Sequence, residues 1–337
     1  MLTRIKKLYW ELLAGTTKRR LINSLKKSTE VFLKKIENSL LREHIELTYA
    51  PIFIIGSPRS GSTLLYQLMA RHFKVCYFSN FMVNFHEGPA CMAKFLSLIN
   101  GCNSPAFFDS RYGETFGWRS PNQGIAIWFR WFPKDHSYVG SGVLSKKALR
   151  EIRNTIALIQ KYFNAPFVNK WQANTVRLLA LSEALPEALF IRIKRNPIFI
   201  AQSILHGKKT LFKDERDWFS TRPSNYEKLK HKEPLEQVCE QVFYIEEDID
   251  RDSEIVGKDK FLTIHYEELC TSPLKVMNNI QSFYMKNQKL CDLKPRYVIP
   301  SSFPYNDSVQ VSAEEFEAIK NYFSQKQKIT EAAEARA

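Results

Sequence analysis

A short loop at residues 56–63 carries the clearest chemical signal in the sequence. It reads GSPRSGST and fits the phosphate-binding frame GxxxxGK[ST], except that Ser62 occupies the position of the lysine. An apolar run, PIFII at 51–55, precedes the loop and an amphipathic helical pattern follows it. Glycines at both ends let backbone N–H groups turn toward an anion, and Ser60, Ser62 and Thr63 add hydroxyl donors. The loop is therefore predicted to bind one phosphate-like group.

The missing lysine disfavours a triphosphate ligand, because this lysine is the usual partner of the β- and γ-phosphates. A different cation, Arg59, lies inside the loop. A kinase or NTPase would also need Mg²⁺ and an acidic metal ligand, for which Glu267 and Glu268 are available after a later strand. A P-loop kinase or NTPase with a degenerate Walker A loop is thus one alternative interpretation. A non-catalytic, nucleotide-binding interaction protein is another.

The loop resembles that of the sulfotransferase family, whose members carry PRSGTT or PKSGTT and use 3′-phosphoadenosine 5′-phosphosulfate (PAPS) as donor. Residues 58–63 read PRSGST and match this loop, which in the family binds the 5′-phosphosulfate. The resemblance implies that the protein transfers a sulfuryl group from PAPS to an acceptor hydroxyl and releases adenosine 3′,5′-bisphosphate. The donor-binding residues that it implies in the loop are Ser57, Pro58, Arg59, Ser60, Gly61, Ser62 and Thr63.

Four further positions match family motifs. The family binds the 3′-phosphate with an arginine at a strand end and a serine eight residues later, and Arg195 and Ser203 have that spacing. In the branch that contains the tyrosylprotein and many bacterial sulfotransferases, a lysine after a strand lies beside the sulfuryl group, which corresponds to Lys170. The tyrosine of a YE pair lies near the nucleotide there, which corresponds to Tyr266. The resemblance covers roughly residues 51–290. The chain has no RKG-like C-terminal motif, which the small cytosolic members of the family carry.

The reaction that the resemblance implies is an in-line displacement with a loose transition state. Positioning and charge stabilisation supply most of the catalysis in such a transfer, and Arg59 and Lys170 are the candidate cations. Because side chains provide these charges, no metal is predicted. The acceptor is a hydroxyl compound, either a carbohydrate, a lipid-linked molecule or a small molecule, and it needs a base. Glu114 and His86 are equal candidates for that role.

Alternating strands and helices predict the elements that position these residues. The fold class is α/β, a P-loop-type three-layer α/β/α arrangement with a central parallel sheet. Strands are predicted at 51–57, 75–78, 167–169, 188–194 and 261–266. Helices are predicted from Ser145 to 163, near 174–185, from Pro197 after an Asn196 cap to 205, at 235–249, from Ser272, and from Ser312 with a Glu315 capping box. A charged insert at 207–233 is predicted to be mobile, and loops and short helices at 78–138 are predicted to cover the site.

Two domains are predicted, a basic amphipathic helical extension at 1–47 and a sulfotransferase-like α/β domain at 48–337. The extension alternates apolar residues at helical spacing with basic clusters, which indicates two cationic helices. These helices either pack on the domain with solvated basic faces or make a peripheral contact with a membrane or a partner.

Composition restricts location and partners. The 49 Lys and Arg against 35 Asp and Glu give a net charge of +14, which favours anionic ligands. No RNA- or DNA-binding pattern accompanies the basic residues, so nucleic acid is not a predicted partner. The six cysteines show no CxxC and no metal-ligand spacing with histidine, and reduced thiols are expected. With neither a signal peptide nor an 18-residue apolar run, a cytoplasmic location is predicted.

Overall fold

The computed structural model describes residues 16–42, 45–99, 110–111, 114–135, 137–288 and 293–334. The strands are β1 (Ile52–Ile55), β2 (Ser110–Arg111), β3 (Glu114–Thr115), β4 (Val168–Asn169), β5 (Leu189–Lys194) and β6 (Phe261–His265). The helices are α1 (Thr16–Leu40), α2 (Ser62–His72), α3 (Asn80–Asn84), α4 (Pro89–Leu98), α5 (Ile125–Trp128), α6 (Lys146–Phe163), α7 (Leu178–Ala184), α8 (Pro197–Leu211), α9 (Tyr226–Leu229), α10 (Pro234–Val256), α11 (Tyr266–Thr271), α12 (Pro273–Asn287) and α13 (Ala313–Glu334). Short 3₁₀ segments lie at Gln172–Val176 and Lys258–Lys260.

In the described part of the chain, four parallel strands form the central sheet in the order β4-β1-β5-β6. The side chains of β1 alternate between the two faces of the sheet, as a strand requires. Phe53 belongs to the core that includes Ile152 of α6, whereas Ile54 belongs to the core that includes Leu65 of α2. Helices therefore cover both faces, and the predicted three-layer α/β/α architecture is confirmed.

The helix starts follow the predicted capping residues. The Ser145 side chain accepts a hydrogen bond from the N–H of Ala148, and the Asn196 side chain accepts one from Ile198. Ser312 and Glu315 exchange side-chain and backbone hydrogen bonds of 3.0 and 3.2 Å at the start of α13. These polar side chains satisfy N–H groups that have no partner within their own helix.

Residues 75–78 do not form the predicted strand. Cys76 makes one isolated bridge with Phe167, in which its N–H donates to Pro166 and its carbonyl accepts from Val168. The chain then turns away at Ser79, whose side chain caps α3. The apolar run is buried, as its sequence indicates, but the cap ends its pairing with the sheet after a single residue pair.

Two other predicted elements have different limits. The segment near 174–185 begins as a 3₁₀ turn, and only its second part is an α-helix. Helix α8 continues to Leu211 instead of ending near 205. The insert at 207–233 was predicted to be mobile, and the structure packs part of it on α10. There the Gln241 side-chain amide donates to the carbonyls of Phe219 and Thr221 at 2.7 and 2.8 Å.

Helix α1 is fastened to the domain by its C-terminal half. Leu33 and Leu41 are buried, and so is the carboxylate of Glu37. Glu37 accepts hydrogen bonds from the N–H groups of Ala90 and Cys91 in the first turn of α4, at 3.1 and 3.0 Å. Its carboxylate also lies 3.7 Å from the guanidinium of Arg130. Part of the predicted extension thus packs on the domain, while residues 1–15 lie outside the described residues.

Among the described residues, no helix is long and apolar enough to cross a membrane. Cys91, Cys239 and Cys270 are free thiols, the buried Cys76 thiol donates to the carbonyl of Ala165 at 3.2 Å, and Cys102 and Cys291 fall outside the described residues.

Replacing Glu37 with Ala is expected to lower the free energy of unfolding by about 2–4 kcal/mol, because it leaves buried N–H groups and Arg130 without their acceptor. Urea unfolding monitored by circular dichroism measures this loss. Glu30→Ala on the same helix is the control, and we expect a change within about 0.5 kcal/mol for it. Equal effects of the two substitutions would show that Glu37 does not fasten α1.

Candidate functional site

A cavity of about 590 Å³ opens at the carboxyl ends of the parallel strands. Ligands of open α/β sheets bind in this position, outside the strand ends. The loop after β1 lines it centrally, residues after β4 line one side, and residues after β5 and β6 line the other. The sequence-predicted site residues that line the cavity are Pro58, Arg59, Gly61, Ser62, Thr63, Lys170, Arg195, Ser203 and Tyr266.

The loop between β1 and α2 owes its shape to positive φ angles. Gly56, Arg59 and Gly61 have φ values of 146°, 69° and 94°. Gly61 also lies directly against Tyr266, because a Cβ atom at Gly61 would come within 2.3 Å of the ring atom Cδ2. A glycine is therefore required there by both conformation and space. Tyr266 packs on the loop, near the position where the family motif implies a nucleotide.

The two predicted phosphate motifs meet in space. The Arg59 guanidinium donates from Nε to the Ser203 hydroxyl at 3.0 Å. Arg195 donates from Nη1 to the carbonyl oxygen of Arg59 at 3.0 Å, and its guanidinium lies 4.6 Å from the centre of the Tyr266 ring. Loop, strand end and helix thus form one cationic surface from residues that are far apart in the chain.

The Arg195 side chain keeps one donor available for a ligand. Its Nη2 donates to the carbonyl of Asn306, but Nε is buried and has no hydrogen-bond partner among the described residues. A buried donor without a partner is unfavourable, so an acceptor placed in the cavity would be stabilising. The arginine fits an anion such as a phosphate, which accepts from the guanidinium edge.

Ser57 and Ser60 are not among the residues that line the cavity. Both side chains are buried, and the Ser57 hydroxyl donates to Oε1 of Glu246 at 2.7 Å. The Ser60 hydroxyl lies inside the loop, 3.1 Å from where a Cβ atom at Gly56 would be. The Ser57 hydroxyl thus connects the loop to α10, and the buried Ser60 hydroxyl has no hydrogen-bond partner among the described residues, whereas Ser62 and Thr63 reach the cavity wall.

Lys170 is a buried cation beside the loop, with 3% of its surface exposed. Its ammonium group makes one long contact of 3.5 Å, with Oε1 of Gln123. Burial, together with a smaller contribution from the nearby charge of Arg59, lowers the pKa of Lys170 to about 7. The preceding Asn169 fixes the strand end, since its side chain accepts from Trp128 at 3.1 Å and from Asn174 at 3.2 Å.

The cavity is strongly cationic. None of the described residues that line it is Asp, Glu or His. Its cationic lining residues are Arg59, Lys134, Lys170, Arg177, Arg195 and Arg222. Such a surface attracts a ligand with several negative charges. No group of three His, Cys, Asp or Glu residues that could hold a metal occurs in the described ranges.

Of the two predicted bases, the structure gives a side-chain position relative to the cavity for His86 alone. His86 lies in the turn after α3, and it is half-buried and absent from the lining residues. The backbone of Glu114 belongs to the hairpin strand β3, and its side chain lies outside the described part of the chain. The identity of the base therefore stays a prediction.

Three residues at or beside the cavity were not predicted from the sequence, and two of them, Gln172 and Arg177, line it. Gln172 accepts a hydrogen bond from the Ser62 hydroxyl at 3.2 Å. Thr175 exchanges hydrogen bonds with the backbone of Gly56 and so fixes the start of the loop. Arg177 follows in the next turn and also lines the cavity. All three residues closely follow Lys170 in the chain, and residues that follow a strand end lie at the same sheet edge. This closeness in sequence could have identified them as site residues.

The model of the sulfotransferase family matches residues 51–284 of this chain. No curated protein sequence matches it significantly. Among solved structures, the chain is similar to sulfotransferase STF9 from Mycobacterium avium, with 14% identity, a TM-score of 0.50, and coverage of 88% of this chain and 72% of that one. A second is sulfotransferase STF1 from Mycobacterium tuberculosis H37Rv, with 13% identity, a TM-score of 0.47, and coverage of 75% and 72%. A third is a sulfotransferase from Alicyclobacillus acidocaldarius, with 15% identity, a TM-score of 0.41, and coverage of 83% and 93%.

Substitution of Gly61 by Ala is expected to destabilise the protein by more than about 2 kcal/mol. The backbone strain of an alanine at positive φ and the clash of its Cβ atom with Tyr266 both contribute to this cost. Gly142→Ala is the matched control, since Gly142 has a φ of 72° with no atom within 4 Å of the added Cβ. It should cost only about 1 kcal/mol. Chemical unfolding of both variants measures the difference. In a Tyr266→Ala background we expect the two costs to converge, and a persistent gap would contradict the clash.

Lys170→Met is expected to stabilise the protein below pH 7 by up to about 5 kcal/mol. The folded pKa of about 7 lies below the ordinary 10.5, so between these values the unfolded chain binds the proton more strongly. Wild-type stability should consequently rise with pH across this window, and the advantage of the variant should shrink. Urea unfolding from pH 6 to pH 10 measures it. Exposed Lys146→Met is the control, and a difference that does not vary with pH would contradict the lowered pKa.

Proposed function

Because the chain belongs to the sulfotransferase family, we propose that it transfers a sulfuryl group from PAPS to a hydroxyl group of an acceptor. The observation that carries this proposal is the junction of Arg59, Ser203 and Arg195, which joins the two predicted phosphate motifs. In this proposal the loop binds the 5′-phosphosulfate, and Arg195 with Ser203 binds the 3′-phosphate. Tyr266 lies between these positions, against both Gly61 and Arg195.

The loop supplies the donors for the phosphosulfate. It leads into α2, where backbone N–H groups at the helix start have no partner within the helix, and Ser62 and Thr63 begin that helix at the cavity wall. Arg59 adds a positive charge beside them. These groups are fixed before a ligand arrives, so they would stabilise an anion with little reorganisation.

During transfer, the bond between sulfur and the bridging oxygen of the 5′-phosphate breaks, and a bond from sulfur to the acceptor oxygen forms. Arg59 and the ammonium of Lys170 would neutralise the charge that develops on the leaving phosphate and on the sulfuryl oxygens. An anion in the cavity raises the pKa of Lys170 and keeps it protonated. The proton of the acceptor hydroxyl passes to a general base, whose identity stays a prediction.

Adenosine 3′,5′-bisphosphate, the desulfated donor, should raise the melting temperature of the protein. A ligand at 100 times its Kd stabilises the folded state by about 2.7 kcal/mol. AMP, which lacks the 3′-phosphate, should stabilise it less than the bisphosphate does. Arg195→Gln should abolish the difference between the two nucleotides, because it removes the proposed 3′-phosphate ligand.

Arg216→Gln is the control for that experiment, since Arg216 is an exposed residue of the insert that does not line the cavity. It should preserve the preference for the bisphosphate. A larger shift with ATP and Mg²⁺, or an undiminished preference in Arg195→Gln, would overturn the assignment of the donor site.

A further inference from the structure

The sheet order divides the cavity into two sides. The phosphosulfate loop follows β1, which lies between β4 on one side and β5 with β6 on the other. The proposed 3′-phosphate ligands follow β5, and Tyr266 follows β6. If the donor occupies the loop and the β5–β6 side, the side next to β4 remains for the acceptor. This division rests on the proposed function.

The β4 side has an aromatic wall. Trp171 follows Lys170, and its ring lies 5.5 Å from that of Phe129 in an edge-to-face arrangement. Both residues line the cavity, together with Ile125. An aromatic or other apolar face of an acceptor could pack on these side chains, next to the ammonium of Lys170.

Arg177 is the central cation of this side and has 1% of its surface exposed. Its Nε donates to the carbonyl of Ser137 at 2.7 Å. Its guanidinium carbon lies 4.3 Å from the Trp171 ring centre and 4.4 Å from that of Phe132. These contacts hold the guanidinium plane in one orientation, as recognition of a carboxylate or phosphate requires.

Two further cations lie beside Arg177 on the cavity wall. The ammonium of Lys134 lies 5.9 Å from the centre of the Phe129 ring. Arg222, from the insert, donates to the backbone carbonyl of Asp135 and so lies next to Lys134. None of the described lining residues is acidic. Burial lowers the pKa of Arg177 to about 9, so it remains a cation at neutral pH.

We propose that the acceptor carries an anionic group in addition to the hydroxyl that is sulfated, and that Arg177 binds this group, with Lys134 and Arg222 beside it. The anion is a carboxylate, a phosphate or a sulfate ester, which share the geometry that a guanidinium recognises. The apolar part of the acceptor lies on Phe129 and Trp171, and its hydroxyl points toward Lys170. Arg177 is thus a specificity-determining residue and not part of the donor site.

Paired hydroxyl compounds that differ only in an anionic group test this inference. One pair is 3-(4-hydroxyphenyl)propionate with its methyl ester, and the other is glucose 6-phosphate with glucose. Initial rates with PAPS and the full-length protein give kcat/KM for each compound. We expect the anionic member of at least one pair to be preferred tenfold or more, and the preferred pair distinguishes a carboxylate from a phosphate.

Arg177→Gln should raise KM for the preferred anionic acceptor roughly ten- to hundredfold, as expected for loss of one charged hydrogen-bonded pair. KM for its neutral counterpart should change less than threefold, and the melting shift with adenosine 3′,5′-bisphosphate should persist. Lys134→Gln and Arg222→Gln, at more exposed positions, should each weaken the same preference, which keeps the test valid if Arg177→Gln fails to fold. Arg216→Gln is the control and should leave the preference intact.

The outcomes separate the inference from the proposed function. Stabilisation by the bisphosphate with no preference for either anionic acceptor, or with neither pair sulfated, overturns the acceptor assignment alone. An equal rise of KM for both members of a pair in the variants overturns it as well. A protein that does not bind the bisphosphate at all overturns the proposed donor and, with it, the division of the cavity.

Discussion

The contact between Arg59 and Ser203 is the constraint on which the site depends. Arg59 has a positive φ, an unusual conformation for a residue other than glycine, and its side chain and carbonyl contact Ser203 and Arg195 respectively. The loop after β1 and the elements after β5 are thereby held in one arrangement. The distance between the loop and these elements determines which ligand can place one anionic group at each of them.

The arginines near the sheet edge differ in whether a carboxylate neutralises them. Arg192 lies within β5 and pairs with Glu246 at 2.6 Å and with Asp250, both on α10. Glu246 also accepts the Ser57 hydroxyl, so one carboxylate connects the strand, the long helix and the loop. Among the described residues, no carboxylate lines the cavity beside its cations. The protein thus neutralises its structural arginine and leaves the charge of the cavity for ligands.

Much of this arrangement could be predicted from local sequence. Short apolar runs gave the positions of the buried parallel strands, and polar capping residues gave the starts of α6, α8 and α13. The run at 75–78 is as apolar as the runs that form strands, but only Cys76 pairs with the sheet. Strand pairing depends on the tertiary position of the segment as well as on its apolar residues.

The site was predictable where a motif is contiguous and not where it is assembled by tertiary packing. The loop and Arg195 stand out as sequence motifs, whereas Arg177 becomes a cavity residue only through its contacts with Ser137 and Trp171. His86 illustrates the converse case, and its role as the base stays a prediction. Its residue type suits a base, but the turn after α3 does not bring it to the cavity wall. Residue chemistry names candidates, and long-range packing decides among them.

The attachment of α1 adds residues before position 48 to the packed interior. Its last turns supply Leu33 and Glu37, and Leu41 directly after the helix is buried as well. Arg130, which Glu37 neutralises, immediately follows the cavity residue Phe129. A shortened protein that began at residue 48 would leave the Arg130 guanidinium without this carboxylate, next to a residue of the cavity wall. Helix α1 consequently packs through Glu37 against residues that neighbour the cavity wall.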